Sequence, residues 1–310
     1  MNRFNIAVRG EFDVYTQKMA RGANGIEYPV GEKRLRCSGK NLITNTGMDA
    51  LASQAGSLTG WGRFLAVGTG NTPPANTDTA LVAQVAVNDG ASSTGQNNSW
   101  DGLDMVSTRI FTFATGVAAG TLAELGLRNS SSDPLLTRAL FTDSEGAPTT
   151  VTVLSDEQLV VMYRLVWTIS TVDSVLVTTT GTGTPVEYTV TARPASLGEG
   201  SVPAMGLGIK AGNAKYYHGV SSAIGAVTGV PTGTMVNTNT MATSVASYIP
   251  GSYYLENTAT IPLTMANDVA IGALLFEGFP CFVQVGISPR ITKTADETIR
   301  IKLRFSWSRG

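Results

Sequence analysis

Short runs in which apolar and polar residues alternate recur along almost the whole chain. The first run, FNIAVRGEFDVY, places Ile6, Val8 and Val14 on one side, as a β-strand with one solvated face does. Helical spacing is confined to NLITNTGMDALASQAG, where Thr46 is expected to cap one short helix near residues 46–55. The pattern predicts a mainly β protein made of antiparallel β-sandwich-like domains.

One strand is written twice, 140 positions apart. The stretch SDEQLVVMYRLVWTIS at residues 155–170 returns as ADETIRIKLRFSWSR at residues 295–309, and the two align without a gap. A hairpin-like segment precedes the strand in both places. The repeat predicts two tandem β domains related by internal duplication. The N-terminal domain spans residues 1–170 and includes the short helix, and the C-terminal domain, residues 171–310, is a diverged copy.

In the first copy of this strand, both faces are apolar. Leu159, Val161 and their alternate neighbours form the face expected to point inwards, and the outer face carries Val160, Met162 and Val166. A strand that is apolar on both faces needs a cover on both faces. Either another segment of the same chain or another subunit covers the outer face. We therefore treat these three outer residues as interface candidates.

The second copy has a basic stripe on the same outer face. Arg300, Lys302 and Arg304 alternate along it and span about 13 Å at the rise of a strand. Such a stripe is either a solvated or polar contact surface, or a place for nucleic-acid phosphates. Aromatic side chains for base stacking are absent from this face, so the sequence disfavours nucleic acid as a partner.

Composition changes this picture little. Of 310 residues only 15% are charged and the formal net charge is −1, so no overall field favours nucleic acid or an anionic membrane. The two cysteines, Cys37 and Cys281, lie far apart and are expected to be free, partly buried thiols. Residues 219–250, low in charge and rich in Gly, Thr and Ser, are expected to be irregular. No apolar run is long enough for a transmembrane helix, so no membrane span is expected.

Residues suited to catalysis do not form a recognisable set. The chain has one histidine, His218, without a GxSxG motif or a metal-ligand spacing around it. VGTGNTPPAN contains only a GxG followed by prolines, which break the helix that a phosphate-binding loop requires. Asp156 and Asp296 begin the repeated strands and fit a structural role at the strand entry. The sequence therefore predicts neither an enzyme nor a bound cofactor or metal.

Four motifs in series resemble virion proteins of tailed bacteriophages. They are KNLITNTGMDALA, FLAVGTGNTPPANTDTAL, AELGLRNSSSDPLLTRALF and SDEQLVVMYRLVWTIS, which together span roughly residues 39–170 and are echoed in the C-terminal half. Proteins of this kind are tail, tail-fibre or tail-appendage components. The resemblance implies a structural virion protein of the phage tail, assembled in the cytoplasm of the infected bacterium. It implies no catalytic residues.

Two functions remain open at this stage. In the first, β-domain interfaces dock tail or neck to fibres or neighbouring subunits, with other tail proteins and copies of the same chain as partners in a homo-oligomer. In the second, the chain is a receptor- or glycan-binding module at a fibre tip, and its partner is a host surface receptor. A glycan site usually presents exposed aromatic rings, and the candidates are Trp100, Tyr216, Tyr217, Tyr253 and Tyr254.

Overall fold

The computed structural model describes residues 2–53, 61–90, 97–178, 186–196, 208–238, 242–279 and 281–310. Over these residues the protein is mainly β with one short helix, as the alternating pattern predicts. We call residues 1–170 the first half and residues 171–310 the second half.

In the first half, the strands and the helix follow one another in this order: β1 (Asn2–Arg21), β2 (Glu27–Pro29), β3 (Arg34–Ile43), α1 (Asn45–Ser53), β4 (Phe64–Gly68), β5 (Gln84–Asp89), β6 (Asn97–Asp101), β7 (Asp104–Phe113), β8 (Gly120–Leu122), β9 (Glu124–Arg128), β10 (Thr137–Leu140), β11 (Val151–Val153) and β12 (Glu157–Ile169). The described part of the second half contributes β13 (Val172–Thr178), β14 (Val186–Pro194), β15 (Gly208–Ala223), β16 (Thr232–Thr238), β17 (Ala242–Val245), β18 (Tyr254–Ile261), β19 (Ala270–Phe279), β20 (Val283–Thr292) and β21 (Ile299–Arg309).

The first half forms a single curled sheet. Its strands pair in the order β5-β4-β9-β10-β3-β1-β12-β7-β6, and every neighbouring pair is antiparallel. The sheet curls far enough that β5 approaches β7, where the Asn88 side-chain amide donates to the Thr112 carbonyl oxygen at 2.8 Å. β8 and β11 form a separate two-stranded ladder. The curled sheet encloses an apolar interior.

The second half is divided between two sheets. One has the order β13-β14-β20-β19-β15-β16, and the other joins β21, β18 and β17 to the sheet of the first half. The joint is a parallel ladder in which Leu303–Arg309 of β21 lies beside Asn2–Val8 of β1. β1 is therefore shared between the halves: Asn2–Val8 pairs with β21, the residues from Ile6 onwards pair with β12 along the other edge, and those from Gly10 onwards pair with β3.

Side chains reinforce the joint between the halves. The rings of Phe4 and Phe305 stack with their centroids 5.4 Å apart, and both residues are buried. The Trp307 indole N–H donates to the Met48 carbonyl oxygen at 3.0 Å. The Tyr248 hydroxyl contacts the helix too, bonding to the Asp49 carboxylate. Helix α1 thus belongs to the first half and packs against the second.

The repeated strands have the buried faces that alternation predicts. In β12, Leu159, Val161, Leu165 and their alternate neighbours are buried, and in β21 Leu303 and Phe305 are buried in the same way. These residues belong to one apolar core that extends across both halves. The inner-face prediction for both copies is therefore confirmed.

Two local predictions need correction. The helix begins at Asn45, and its cap is Thr44 instead of Thr46, because the Thr44 hydroxyl accepts the Gly47 N–H at 3.0 Å. Residues 219–250 are not irregular throughout, since β16 pairs with β15 and β17 with β18. Threonine and valine suit a pleated strand, so the low charge of this segment was a poor sign of a loop.

Candidate interaction surfaces

The three interface candidates on β12 do not have equal access to solvent. Val160 is 4% exposed and Val166 is 2% exposed, so both are buried within the chain, and Met162 is partly buried. Across the sheet, Val166 lies next to Arg9, whose side chain crosses β12 to reach Asp104 on β7. Of the three candidates, Met162 is the one that reaches the surface, and its assignment to an interface stays a prediction.

A network of ion pairs lies beside Met162 on this outer face, along the part of β12 from Arg164 to Thr168. The Arg9 guanidinium contacts Glu11 at 3.1 Å and Asp104 at 2.7 Å. Between that pair and Met162, Arg164 contacts Asp13, the ladder partner of Met162, at 2.8 Å. These charged side chains are paired with one another across β1, β12 and β7. The outer face is therefore a polar surface whose charges already have partners within the chain. Met162 adds an apolar side chain at one end of this network.

The pKa values of the carboxylates in this network determine how the free energy of unfolding depends on pH. Burial raises the pKa of the Asp104 carboxyl. The hydrogen bonds from Thr168 and Arg9, together with the Arg9 charge, lower this pKa by more than burial raises it, so it lies below its usual value. The same balance lowers the pKa of Asp13, with Arg164 and Ser38 as donors. A pKa that is lower in the folded than in the unfolded state stabilises the fold above the unfolded pKa of about 3.9.

We therefore expect the free energy of unfolding to fall as the pH drops below about 4 and through the folded-state pKa of these groups. Asp104→Asn should cost about 1–2 kcal/mol at pH 7, because Arg9 and Thr168 lose a charged acceptor. At pH 3 the cost should shrink, since the natural carboxyl is then losing its charge too. Urea unfolding at both pH values checks this, and an equal cost at both would contradict it.

Only part of the basic stripe on β21 is free to contact a partner. Arg304 is held by Glu256 on β18, its Nε donating at 2.9 Å, and its guanidinium lies 4.3 Å from the centroid of the Tyr254 ring. Arg300 and Lys302 are exposed and lie beside threonines of β18 in the ladder. The three residues do lie on one face of one strand, as predicted, but they do not act as three equivalent cations.

A surface that the sequence did not reveal lies on a projecting hairpin, residues 17–36. In it the end of β1 turns back through β2, pairing Met19–Arg21 with Glu27–Pro29. Every residue from 23 to 36 is exposed. The exposed apolar side chains are large ones: Ile26 64%, Tyr28 50%, Val30 43% and Leu35 57%.

Geometry explains why this hairpin is apolar and uncovered. Even-numbered side chains of β1, such as Phe12 and Val14, face the core, and Ala20 continues that face beyond the core opposite Tyr28. The base of the hairpin is fixed: the Gln17 amide donates to the Val30 carbonyl oxygen at 3.3 Å, and the Thr115 hydroxyl bonds to Glu27 at 2.7 Å. The hairpin is therefore an anchored ribbon with an uncovered apolar face.

The aromatic candidates for a glycan site are engaged within the chain. Tyr216 and Tyr217 are buried, at 7% and 6% exposure. Tyr253 packs on Trp307, with ring centroids 6.5 Å apart, and Tyr254 lies under Arg304. Trp100 is partly buried and packs against the core. These rings do not form one exposed platform.

The candidate groups for chemistry are spread through the molecule. His218 lies in β15 with its ring centroid 6.0 Å from that of Tyr216, and it pairs with Thr234 of β16. Cys37 and Cys281 are free and buried, and burial raises the pKa of the Cys37 thiol to about 12. Within the part of the chain that the structure describes, no three His, Cys, Asp or Glu side chains gather as metal ligands would.

A buried ion cluster also escaped the sequence interpretation. The Arg138 Nε donates to Glu124 at 3.0 Å, its Nη1 to Asp78 at 2.7 Å and its Nη2 to the Thr72 carbonyl oxygen at 2.9 Å. The other Glu124 oxygen accepts the backbone N–H of Gly70 at 3.1 Å. The cluster fastens the Gly- and Pro-containing loop after β4 to the sheet. Its sequence signal is a charged residue, Glu124 in β9 and Arg138 in β10, in each of two short strands whose residues are buried or nearly so.

Comparisons with known proteins add no identity to these surfaces. No family model, no curated protein and no solved structure matches the chain. Among the described residues, no helix has the length and apolar content needed to cross a membrane.

Proposed function

We propose that the protein is a non-enzymatic structural component of a bacteriophage tail. It docks tail or neck to fibres or neighbouring subunits through surfaces of its β domains. The four-motif resemblance supplies the class of particle, and the observation that carries the assembly role is the projecting hairpin. Its partners are other virion tail proteins and further copies of the chain, and its place is the virion after assembly in the bacterial cytoplasm.

The hairpin supports assembly because no described segment of the chain covers its apolar face. Large apolar side chains on a soluble surface mark interfaces when they lie together, and Ile26, Tyr28 and Val30 alternate along one face of the ribbon. Between residues 18 and 36, five Lys and Arg accompany two Glu. An apolar stripe with a cationic border suits a protein partner that presents apolar side chains and carboxylates.

The alternative role, a receptor- or glycan-binding module, has less support. Glycan recognition needs open aromatic faces near polar groups. In this chain the ring faces of Tyr253 and Tyr254 are already taken by Trp307 and Arg304.

We further propose that the two halves arose by internal duplication, which the pairing order supports. The run β1-β3-β10-β9-β4-β5 in the first half corresponds to β13-β14-β20-β19-β15-β16 in the second, in both pairing and chain order. The run β12-β7-β6 likewise corresponds to β21-β18-β17. Nine strands thus keep their neighbours, apart from the pair β1-β12. Two halves with the same strand order suit an assembly protein, because each half can present a different surface on a similar fold.

The hairpin can be tested by changing its apolar face and following particle assembly. In the variant Ile26→Lys/Tyr28→Lys, the free energy of unfolding should change by less than about 0.5 kcal/mol for each exposed site. Incorporation into particles should fall at least tenfold, because two charges would be buried against the partner. Thermal unfolding of the isolated chain and quantification of the chain in purified particles give the two measurements.

Ile249→Lys is the matched control, since Ile249 is 65% exposed and Ile26 is 64% exposed. Normal incorporation of the control together with loss of the hairpin variant supports the proposal. Equal incorporation of both, or equal loss, contradicts it. Met162→Lys in the same assay extends the test to the outer face of β12.

A further inference from the structure

The two halves differ in one pairing, which concerns their last strands. In the first half, β12 pairs antiparallel with β1 through 13 residue pairs, from Ile6 with Ile169 to Lys18 with Glu157. β21 holds the matching place in the second half, where β13 would be its partner. Among the described residues no ladder joins β13 to β21, and β21 pairs with the first residues of β1 instead.

The first residues of β1 therefore act as an added strand for the second half. Asn2–Val8 forms a parallel ladder with Leu303–Arg309 of β21, and the Phe4 ring stacks on the Phe305 ring. β13 also lies close to β1. Without this strand, the edge of β21 opposite β18 would be open, which is an unstable arrangement for an apolar strand. β21 is thus an acceptor edge for a strand that belongs to the other half.

The covalent connection between donor and acceptor halves is short. Only Ser170 and Thr171 separate β12 from β13. Ser170 is bound to the donor strand, with its backbone N–H and its hydroxyl donating to the Asn5 carbonyl oxygen at 3.1 and 2.6 Å. A groove of about 380 Å³ runs beside this connection, with the partly exposed Leu103 on its wall. The connection lies at the surface and has space around it.

We propose that a second copy of this chain can supply the strand Asn2–Val8 to β21. The second half of one copy then packs on the first half of its neighbour, and Ser170–Thr171 is the hinge. Each copy keeps every contact of the joint, since the donor strand and the acceptor edge have the same sequence in both copies. Only the conformation of the two hinge residues changes, as in domain swapping.

The protein concentration determines which of two forms dominates. In the closed form β21 pairs with Asn2–Val8 of its own chain, and in the exchanged form it pairs with Asn2–Val8 of a second copy. A short connection gives the strand within one chain an effective concentration in the millimolar range. The closed form therefore dominates in dilute solution, and exchange takes over where many copies are held side by side. Exchange is independent of the proposed function, because it concerns contacts between copies in any concentrated sample.

Cross-linking can distinguish the two forms in the full-length chain. A Cβ built on Gly310 lies 3.4 Å from the Ala7 Cβ, close to the separation of about 3.8 Å in disulfides. One tagged chain carries Ala7→Cys and a second, differently tagged chain carries Gly310→Cys. The two are unfolded together and refolded at increasing concentration. A disulfide between the two tags, increasing with concentration, is the expected result; the parent chain, whose own cysteines are buried, is the background.

The length of the hinge provides the second measurement. Deleting Thr171 shortens the reach by about 3.5 Å, so the closed form is strained and the dimer fraction should rise at least fivefold. Five Gly/Ser residues inserted after Ser170 should lower the dimer fraction, since the closed form becomes easy to reach. If the Thr171 deletion variant does not fold, the dimer fraction of the insertion variant tests the proposal by itself. The absence of any disulfide between tags, or a dimer fraction that ignores the insertion, would overturn the proposal.

Discussion

Replacing Arg138 by methionine is expected to lower the free energy of unfolding by about 3–5 kcal/mol, the usual cost of breaking a buried ion pair from one side. Arg138 is 2% exposed and Glu124 is 0% exposed, so water cannot replace the lost guanidinium. The Glu124 carboxylate would keep the N–H groups of Gly70 and Ala83 as donors, which do not neutralise its charge. Urea unfolding followed by far-UV circular dichroism measures the loss.

Two variants separate the buried charge from other causes. Adding Glu124→Gln to Arg138→Met removes the stranded charge and keeps an oxygen that can accept the Gly70 N–H, so part of the stability should return. Lys18→Met breaks the exposed pair with Asp156, at 3.3 Å, and should cost at most about 1 kcal/mol. A cost for Arg138→Met no larger than that of Lys18→Met would mean that the cluster does not hold the fold.

The mainly β character and the burial of the repeated strands follow from alternation alone. Leu159, Val161 and Leu303 could be assigned to the core because side chains of a strand alternate between faces, whatever its neighbours are. For the outer face of β12, the sequence left two covers open, another segment of the same chain or another subunit. Val160 and Val166 are buried within the chain, beside Tyr15 and Arg9 of β1, so for these two residues the first cover applies.

The joint between the halves could not be predicted in the same way. A parallel ladder between Asn2–Val8 and Leu303–Arg309 joins segments about 300 residues apart, and alternation describes each strand without naming its partner. The repeat suggested two separate domains, because each copy of the hairpin and strand looked complete. The ladder between β21 and β1 joins strands of both halves in one sheet.

The candidate surfaces could also be predicted only in part from the sequence. The hairpin at residues 17–36 is rich in Gly, Lys and Arg, which is typical of a loop, and its apolar residues gain meaning only when Ile26 and Tyr28 are seen on one uncovered face. The Arg138 cluster depends on Asp78, 60 positions away in sequence. Contacts over such distances are set by the packing of the whole sheet.

Phe4→Ala is expected to have the second large effect. Phe4 is 0% exposed and stacks on Phe305, and removal of a buried phenylalanine ring typically costs about 3–5 kcal/mol. The lost contact lies in the joint, so the cost should fall on the association of the halves. We expect the Ser170–Thr171 connection to become sensitive to a protease at low concentration, because the donor strand no longer holds Ser170 in place.

Phe141→Ala is the matched control for this variant. Phe141 is equally buried, but it packs on Phe12 within the first half, with ring centroids 6.2 Å apart. It should cost a similar free energy of unfolding without increasing cleavage at the connection, because the joint stays intact. Mass spectrometry of the fragments locates the cut. Cleavage at residues 170–171 in both variants, or in neither, would show that Phe4 contributes to general stability and does not join the two halves.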